Sequence, residues 1–256
     1  TLPDGFFNLY SIKNAAREWT ILMLAINGIV GITAQPHMVS MCAMGSTERA
    51  GRIGQTYGSF VKRLVTIGWA LTGLIVAAVV IQSSQNLEDP EMAFGFATRE
   101  LLLPGLTGLM IASILAANMS SASNFMVNTG ALFTQNFFIK YINRSPSDKQ
   151  LLWTGRISGV VLTLLGVLFA VYIKSVLHAF LFIETIAAFM GIMVFGGMLW
   201  KRANRYGAIS GVAIAFLVYY FLNYLDMGTI ELVYNWKPGI FGWAMLSGFT
   251  IFVIIS

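Results

Sequence analysis

The chain has 256 residues, 57 % of them hydrophobic and only 11 % charged, with a mean hydropathy of +0.73. This excludes an ordinary soluble domain. The net charge of +5 is spread over several short loops rather than gathered in one patch, so it reads as membrane topology, and nucleic acid is not expected as a partner.

Seven apolar stretches approach the roughly 20 residues of a bilayer crossing. They cover about 19–44, 64–81, 101–138, 157–173, 175–200, 206–225 and 239–256. The expected architecture is all-α, a polytopic transmembrane helix bundle forming one domain over residues 1–256. Lys and Arg are retained on the cytoplasmic side. One alternating set of loops holds Arg49, Arg52, Lys62, Arg63, Lys140, Arg144, Lys149, Arg156, Lys201, Arg202 and Arg205, 11 of the 16 basic residues. That set is expected inside a cell (inner) membrane, with the N-terminus outside and the C-terminus in the cytoplasm. Thr1 in place of an initiator Met, and the apolar run closing on Ser256, predict a piece of a longer polytopic protein.

Residues 1–18 read as a polar connecting segment, with a short interfacial helix from Ser11 onward. The first span carries Gly28, Gly31 and Pro36 within three turns. Gly costs about 1 kcal/mol and Pro about 3 kcal/mol in a helix interior, and freed backbone at membrane depth is tolerated only where it is buried in protein or lines a cavity. This predicts a discontinuous helix broken near Asn27 to Gly31. The single cysteine, Cys42, falls mid-span and reads as a small packing residue.

Residues 88–99 are amphipathic and charged, suiting an outer helix over the bundle, and Pro104 is placed to open the third span. A continuous helix over 101–141 would be about 60 Å long, so its end near Thr134 to Lys140 is expected to project into the cytoplasm before the linker Asn143-Arg-Ser-Pro-Ser-Asp-Lys149. On this span Ala117, Ser120 and Ser121 share a face. Their carbonyl and hydroxyl oxygens suit a hard monovalent cation. They equally suit packing: Ser121 could back-bond to the Ala117 carbonyl, and Ala112, Ala116 and Ser120, or Ser113, Ala117 and Ser121, form small-residue ladders.

Glu184 is the carboxyl group well inside a span. Intramembrane acids are costly and read as functional by default. It could contact a basic group on a solute, gate a pathway or carry a proton, or be a protonated interhelix bond. His37, His178 and Cys42 cannot assemble a metal-ligand set. The last two spans lack intramembrane charge and are expected at the periphery.

The segment Leu103-Pro-Gly-Leu-Thr-Gly-Leu-Met-Ile-Ala-Ser-Ile-Leu-Ala-Ala-Asn-Met-Ser-Ser121, followed by Asn128-Thr-Gly-Ala-Leu-Phe-Thr134, resembles the signature helix of the sodium:solute symporter family. Gln35-Pro-His-Met-Val with Gly45-Ser-Thr-Glu-Arg-Ala-Gly-Arg resembles the family's broken helix and its cytoplasmic loop. Gly197-Met-Leu-Trp-Lys-Arg-Ala-Asn-Arg-Tyr-Gly-Ala-Ile-Ser-Gly211 resembles its exit into the next helix. The resemblance implies a leucine-transporter-like inverted-repeat fold, here partial: the second repeat plus two further helices, lacking the N-terminal repeat. It implies that Ala117, Ser120 and Ser121 hold the coupling sodium. It places a solute at unwound backbone around Asn27, Gly28, Val30 and Gly31, with Gln35 as a side-chain contact and Glu184 nearby. Val30 and Gly31 occupy gate-like positions where an aromatic is common.

The function implied is sodium-coupled symport of a small polar solute by alternating access. The partners are the solute, sodium, the lipid bilayer and the missing repeat. No cofactor is expected beyond the coupling ion. A proton-coupled transporter and a transporter-like sensor input domain are the alternatives. An enzyme is not expected, because no nucleophile, base and orienting partner fall at workable spacing.

Overall fold

A computed structural model describes residues 15–83, 89–173 and 175–256, and these are almost entirely helical. The interfacial helix expected from Ser11 begins outside the described residues. In chain order the helices are α1 (Ala15–Gly31), α2 (Pro36–Ala43), α3 (Glu48–Ser83), α4 (Ala93–Glu100), α5 (Pro104–Phe133), α6 (Asp148–Ile173), α7 (Val176–Leu199), α8 (Arg205–Met227) and α9 (Pro238–Ile255). A 3-10 turn, Ile32–Ala34, separates α1 from α2, and another, Pro90–Met92, leads into α4. Among the described residues six helices are long and apolar enough to cross a bilayer, and the bent pair around Gln35 makes a seventh span.

Several boundaries differ from the sequence reading. α3 starts at Glu48, because the Thr47 hydroxyl caps it by accepting from the Ala50 N–H at 3.1 Å. Arg49, Arg52, Lys62 and Arg63 therefore stand on a helical extension rather than in a loop. Pro104 does open α5. Its continuation over Thr134–Ile142 is a π-helix of nine residues, closed by Asn143 N–H donating to Phe138 O, which hydrophobic periodicity does not reveal. Cys42 is exposed. Its carbonyl, not its thiol, makes the close approach, directly against Gly51.

Contacts divide the described chain into two units, Ser40–Tyr172 and residues 15–39 with Ile173–Ser256. In the first, Trp69 of α3 meets Phe94 of α4 with ring centroids 5.3 Å apart. α5 crosses α6 where a Cβ on Gly130 would sit 2.5 Å from Gly155 O and one on Gly159 would sit 3.0 Å from Met126 O. Glycines there let the backbones touch. Elsewhere the long helices of this unit turn large apolar side chains outward, including Leu64, Leu109, Leu115 and Leu168.

The second unit has the core. Phe189 of α7 is fully buried among Phe216, Tyr219 and Phe241, edge-on to the first two and stacked on the third. α8 and α9, expected at the periphery, instead help to build this core. Gly207, Gly211 and Ala215 recur every four residues on α8, and a Cβ on Gly211 would come within 2.8 Å of Gly248 O on α9. Phe241, Ala244 and Phe252 of α9 are buried outright. Uncharged spans carry an apolar face all round, so lack of charge says nothing about which helix is central.

Candidate functional site

The break in the first span lies at Ile32–Gln35, immediately after the stretch Asn27 to Gly31 where it was expected. α1 runs unbroken through Asn27, Gly28, Val30 and Gly31, so these residues do not present unwound backbone. Two glycines at about 1 kcal/mol each do not break a packed helix. Pro36 does, because it has no N–H for the Ile32 carbonyl and its ring clashes with that group. It also drives the preceding residue out of the helical region, and Gln35 stands at φ −81°, ψ 108°. Gln35 N–H closes weakly on Ile32 O at 3.4 Å, while Gln35 O accepts from Met38 and Val39 N–H as α2 begins. The two halves are bent by 54°.

The glycines serve close packing. A Cβ on Gly31 would lie 3.3 Å from the Ala188 nitrogen and 3.4 Å from Glu184 Oε2, and one on Gly191 would overlap the Val30 carbonyl oxygen. Gly28 faces open space. Met23, Asn27 and Gly31 are buried at four-residue spacing, the stripe that α1 packs inward. α1 and α7 are thus in backbone contact just where the first span ends.

At that point the polar residues gather. Gln35 Nε2 donates to Glu184 Oε1 at 2.9 Å. Glu184 is half-buried and turned to the broken span. Thr33 Oγ1 donates to Val30 O at 2.7 Å and reaches Gly191 O at 3.3 Å, tying the 3-10 turn to α7. Sequence reasoning missed Thr33, although a hydroxyl two residues before Gln35-Pro36 was the available signal. Asn27 is 2 % exposed and its Oδ1 has no hydrogen-bond partner. A buried amide oxygen left so costs about 1–3 kcal/mol. Asn27, Gln35 and Glu184 therefore belong to one unit, with Gly31 between helix and helix. The Val30 carbonyl accepts from the Thr33 hydroxyl and lies against Gly191 of α7.

An apolar groove of about 860 Å³ between α1, α7 and α9, with Met23, Val30, Ile192 and Phe252 in its wall, includes neither Gln35 nor Glu184. It offers nothing to a polar solute.

Ala117, Ser120 and Ser121 lie in the other unit, on α5, and all three are exposed. Other hydroxyls of this helix back-bond one turn up: Ser113 to Leu109 O and Ser123 to Met119 O, each at 2.8 Å. Among the described residues Ser120 and Ser121 form no such bond, so the Ser121 to Ala117 link is not made. The ladders Ala112, Ala116, Ser120 and Ser113, Ala117, Ser121 are exposed along their length and pack against nothing in this unit. Among the described residues no three His, Cys, Asp or Glu side chains converge. An alkali cation, held by hydroxyls and carbonyls, needs none of them.

The family model described as the sodium:solute symporter family matches residues 4–215. The osmoregulated proline transporter OpuE of Bacillus subtilis (strain 168) is 29 % identical over 192 residues, covering 72 % of this chain and 38 % of that protein. The high-affinity proline transporter PutP of the same organism is 26 % identical over 256 residues, 96 % of this chain and 52 % of its own. The sodium/pantothenate symporter of Haemophilus influenzae is 25 % identical over 232 residues, covering 88 % and 45 %. The chain thus spans about half the length of these relatives, or less. No solved structure matches significantly.

Proposed function

The chain belongs to the sodium:solute symporter family, and on that premise we propose that the whole protein is a secondary active transporter coupling sodium entry to uptake of a small polar solute by alternating access. Seven apolar spans make it an integral membrane protein. The observation that carries the reading is the span broken by 54° whose Gln35 meets an intramembrane carboxyl, Glu184. Irregular backbone and a half-buried carboxyl group at membrane depth are both costly, and their coincidence supports a solute pathway.

In this reading Ala117 supplies its carbonyl and Ser120 and Ser121 their hydroxyls to sodium, weakly enough for release. The exposed face of α5 is completed by a helix of the longer protein, in an inverted-repeat arrangement. The solute sits at the break, against Asn27, Gly31, Gln35 and Glu184. Relatives are named for proline, pantothenate, myo-inositol and glucose, all small and polar. The alternating loop charges support a topology in this reading with the N-terminus outside and the C-terminus in the cytoplasm of the cell membrane.

The test is uptake by the full-length protein in proteoliposomes under an imposed sodium gradient, a potassium gradient or a pH gradient. Accumulation driven by sodium alone is expected. Accumulation driven equally by a pH gradient without sodium would overturn sodium coupling in favour of a proton carried by Glu184.

A further inference from the structure

The apolar groove between α1, α7 and α9 has a charged neighbour at one end only. Along α9 it runs from Gly239 to Val253, about 21 Å of helix rise. None of its lining residues carries a charge. At the Pro238 end Trp19 and Met23 lie against Gly242. At the other end the groove closes where Trp200 meets Phe252 edge-on, ring centroids 5.7 Å apart. Between these ends Leu199, Leu246 and Phe249 of its wall are exposed.

Just beyond Trp200 the chain turns. Ala203 N–H donates to Trp200 O at 3.1 Å, and Asn204 Nδ2 donates to Ile255 O at 3.1 Å. These two bonds hold the Lys201-Arg202 turn at the ends of α7 and α9, where the groove closes. Both cations are exposed and, among the described residues, form no ion pair. No Asp or Glu occurs within residues 185–225 or 238–256 to answer them. Arg205 next to them is stacked on Tyr206 at 4.7 Å.

An apolar slot with no polar atom to satisfy takes hydrocarbon readily and regains the dispersion contacts that an empty slot forfeits. A transmembrane helix 10–12 Å across would fill roughly 2,000 Å³ over this length, more than twice the groove's volume of about 860 Å³. The groove is therefore too narrow to seat a helix and has the size of a small-molecule site. A neutral lipid would fill it and leave Lys201 and Arg202 unanswered. A soluble anion would answer the cations and leave the slot empty. Basic residues at the end of a span are matched by an anionic headgroup.

We propose that the groove holds one anionic phospholipid, its acyl chains lying along α9 and its phosphate against Lys201 and Arg202. In the topology argued above this is a lipid of the inner leaflet. The site is separate from the broken span, so its failure would leave the symport reading standing.

The experiment places the full-length protein in phosphatidylcholine vesicles containing a minor fraction of phosphatidylglycerol. Bromine, which quenches tryptophan fluorescence on contact, is carried either on the acyl chains of the phosphatidylglycerol or on those of an equal fraction of the phosphatidylcholine. The difference between wild type and Trp200→Phe isolates the Trp200 signal. Brominated phosphatidylglycerol is expected to quench it with an apparent affinity about tenfold or more above that of brominated phosphatidylcholine, the scale of two surface cations acting on one phosphate. Lys201→Gln combined with Arg202→Gln should bring the two lipids to within about threefold of each other. Arg144→Gln combined with Lys149→Gln, in another basic loop, should leave the ratio unchanged. Thermal unfolding confirms that each variant is folded, and the single variants Lys201→Gln and Arg202→Gln should give intermediate ratios. Absence of Trp200 quenching by either lipid would mean that protein fills the groove. Equal quenching by both would reduce it to unselective lipid contact, and a preference intact in the folded double variant would put the headgroup elsewhere. Each of these three results overturns the inference.

Discussion

Gln35 and Glu184, 149 residues apart in the chain, are joined by a 2.9 Å hydrogen bond from the Gln35 side-chain amide to Glu184 Oε1. The bond links the residue at which the first span breaks to the carboxyl group inside α7. Replacing Gln35 by Ala frees the carboxylate to rotate without altering its charge. The expected outcome is a rise of about tenfold in solute KM, with the half-saturating sodium concentration unchanged, as the loss of one hydrogen bond to a charged group implies. Uptake kinetics at varied solute and sodium check it. An unchanged KM would make the bond a structural tie only.

Asn27 is predicted to cost stability in exchange for recognition. Asn27→Leu keeps much of the volume and removes the buried unpaired acceptor, so the thermal unfolding temperature should hold or rise. Solute uptake should fall by about 100-fold if the amide oxygen contacts the solute, the scale of about 2–3 kcal/mol. Unfolding in detergent and uptake in proteoliposomes are measured on the same preparations.

The glycines of the broken span should behave oppositely. Gly191→Ala drives a methyl into the Val30 carbonyl oxygen, which is backbone and cannot swing aside. A destabilisation of about 1–3 kcal/mol is expected. Gly28→Ala meets nothing within 4 Å and replaces the poorest ordinary helix former by the best, so it should be neutral or stabilising by up to about 1 kcal/mol. Thermal unfolding of the two variants side by side decides whether α1 and α7 are in backbone contact and whether α1 is continuous at Gly28.

Ser120→Ala and Ser121→Ala each remove one hydroxyl and almost no volume from an exposed face of α5. Neither hydroxyl is committed to a back-bond, so the helix should tolerate the change. The half-saturating sodium concentration of the full-length protein should rise about tenfold or more in each, as for a lost oxygen ligand. Identical sodium dependence in wild type and both variants would reduce Ala117, Ser120 and Ser121 to a packing face.

The sequence by itself determined the number and type of the spans. Apolar length is a one-dimensional property, and Pro104, Pro36 and the Asn143 to Lys149 linker are local punctuation that acts through backbone sterics. It also marked Gln35, Glu184 and Asn27, since a polar side chain within an apolar span is visible without coordinates. Only the tertiary structure decided what the glycines of the first span do. Gly28 and Gly31 look alike in sequence, but Gly31 is pressed against α7 while Gly28 faces open space. That distinction depends on α7, about 150 residues away. The same holds for the core roles of α8 and α9, and for the pairing of Gln35 with Glu184. Each arises from two distant segments meeting, and periodicity within one segment carries no information about its partner.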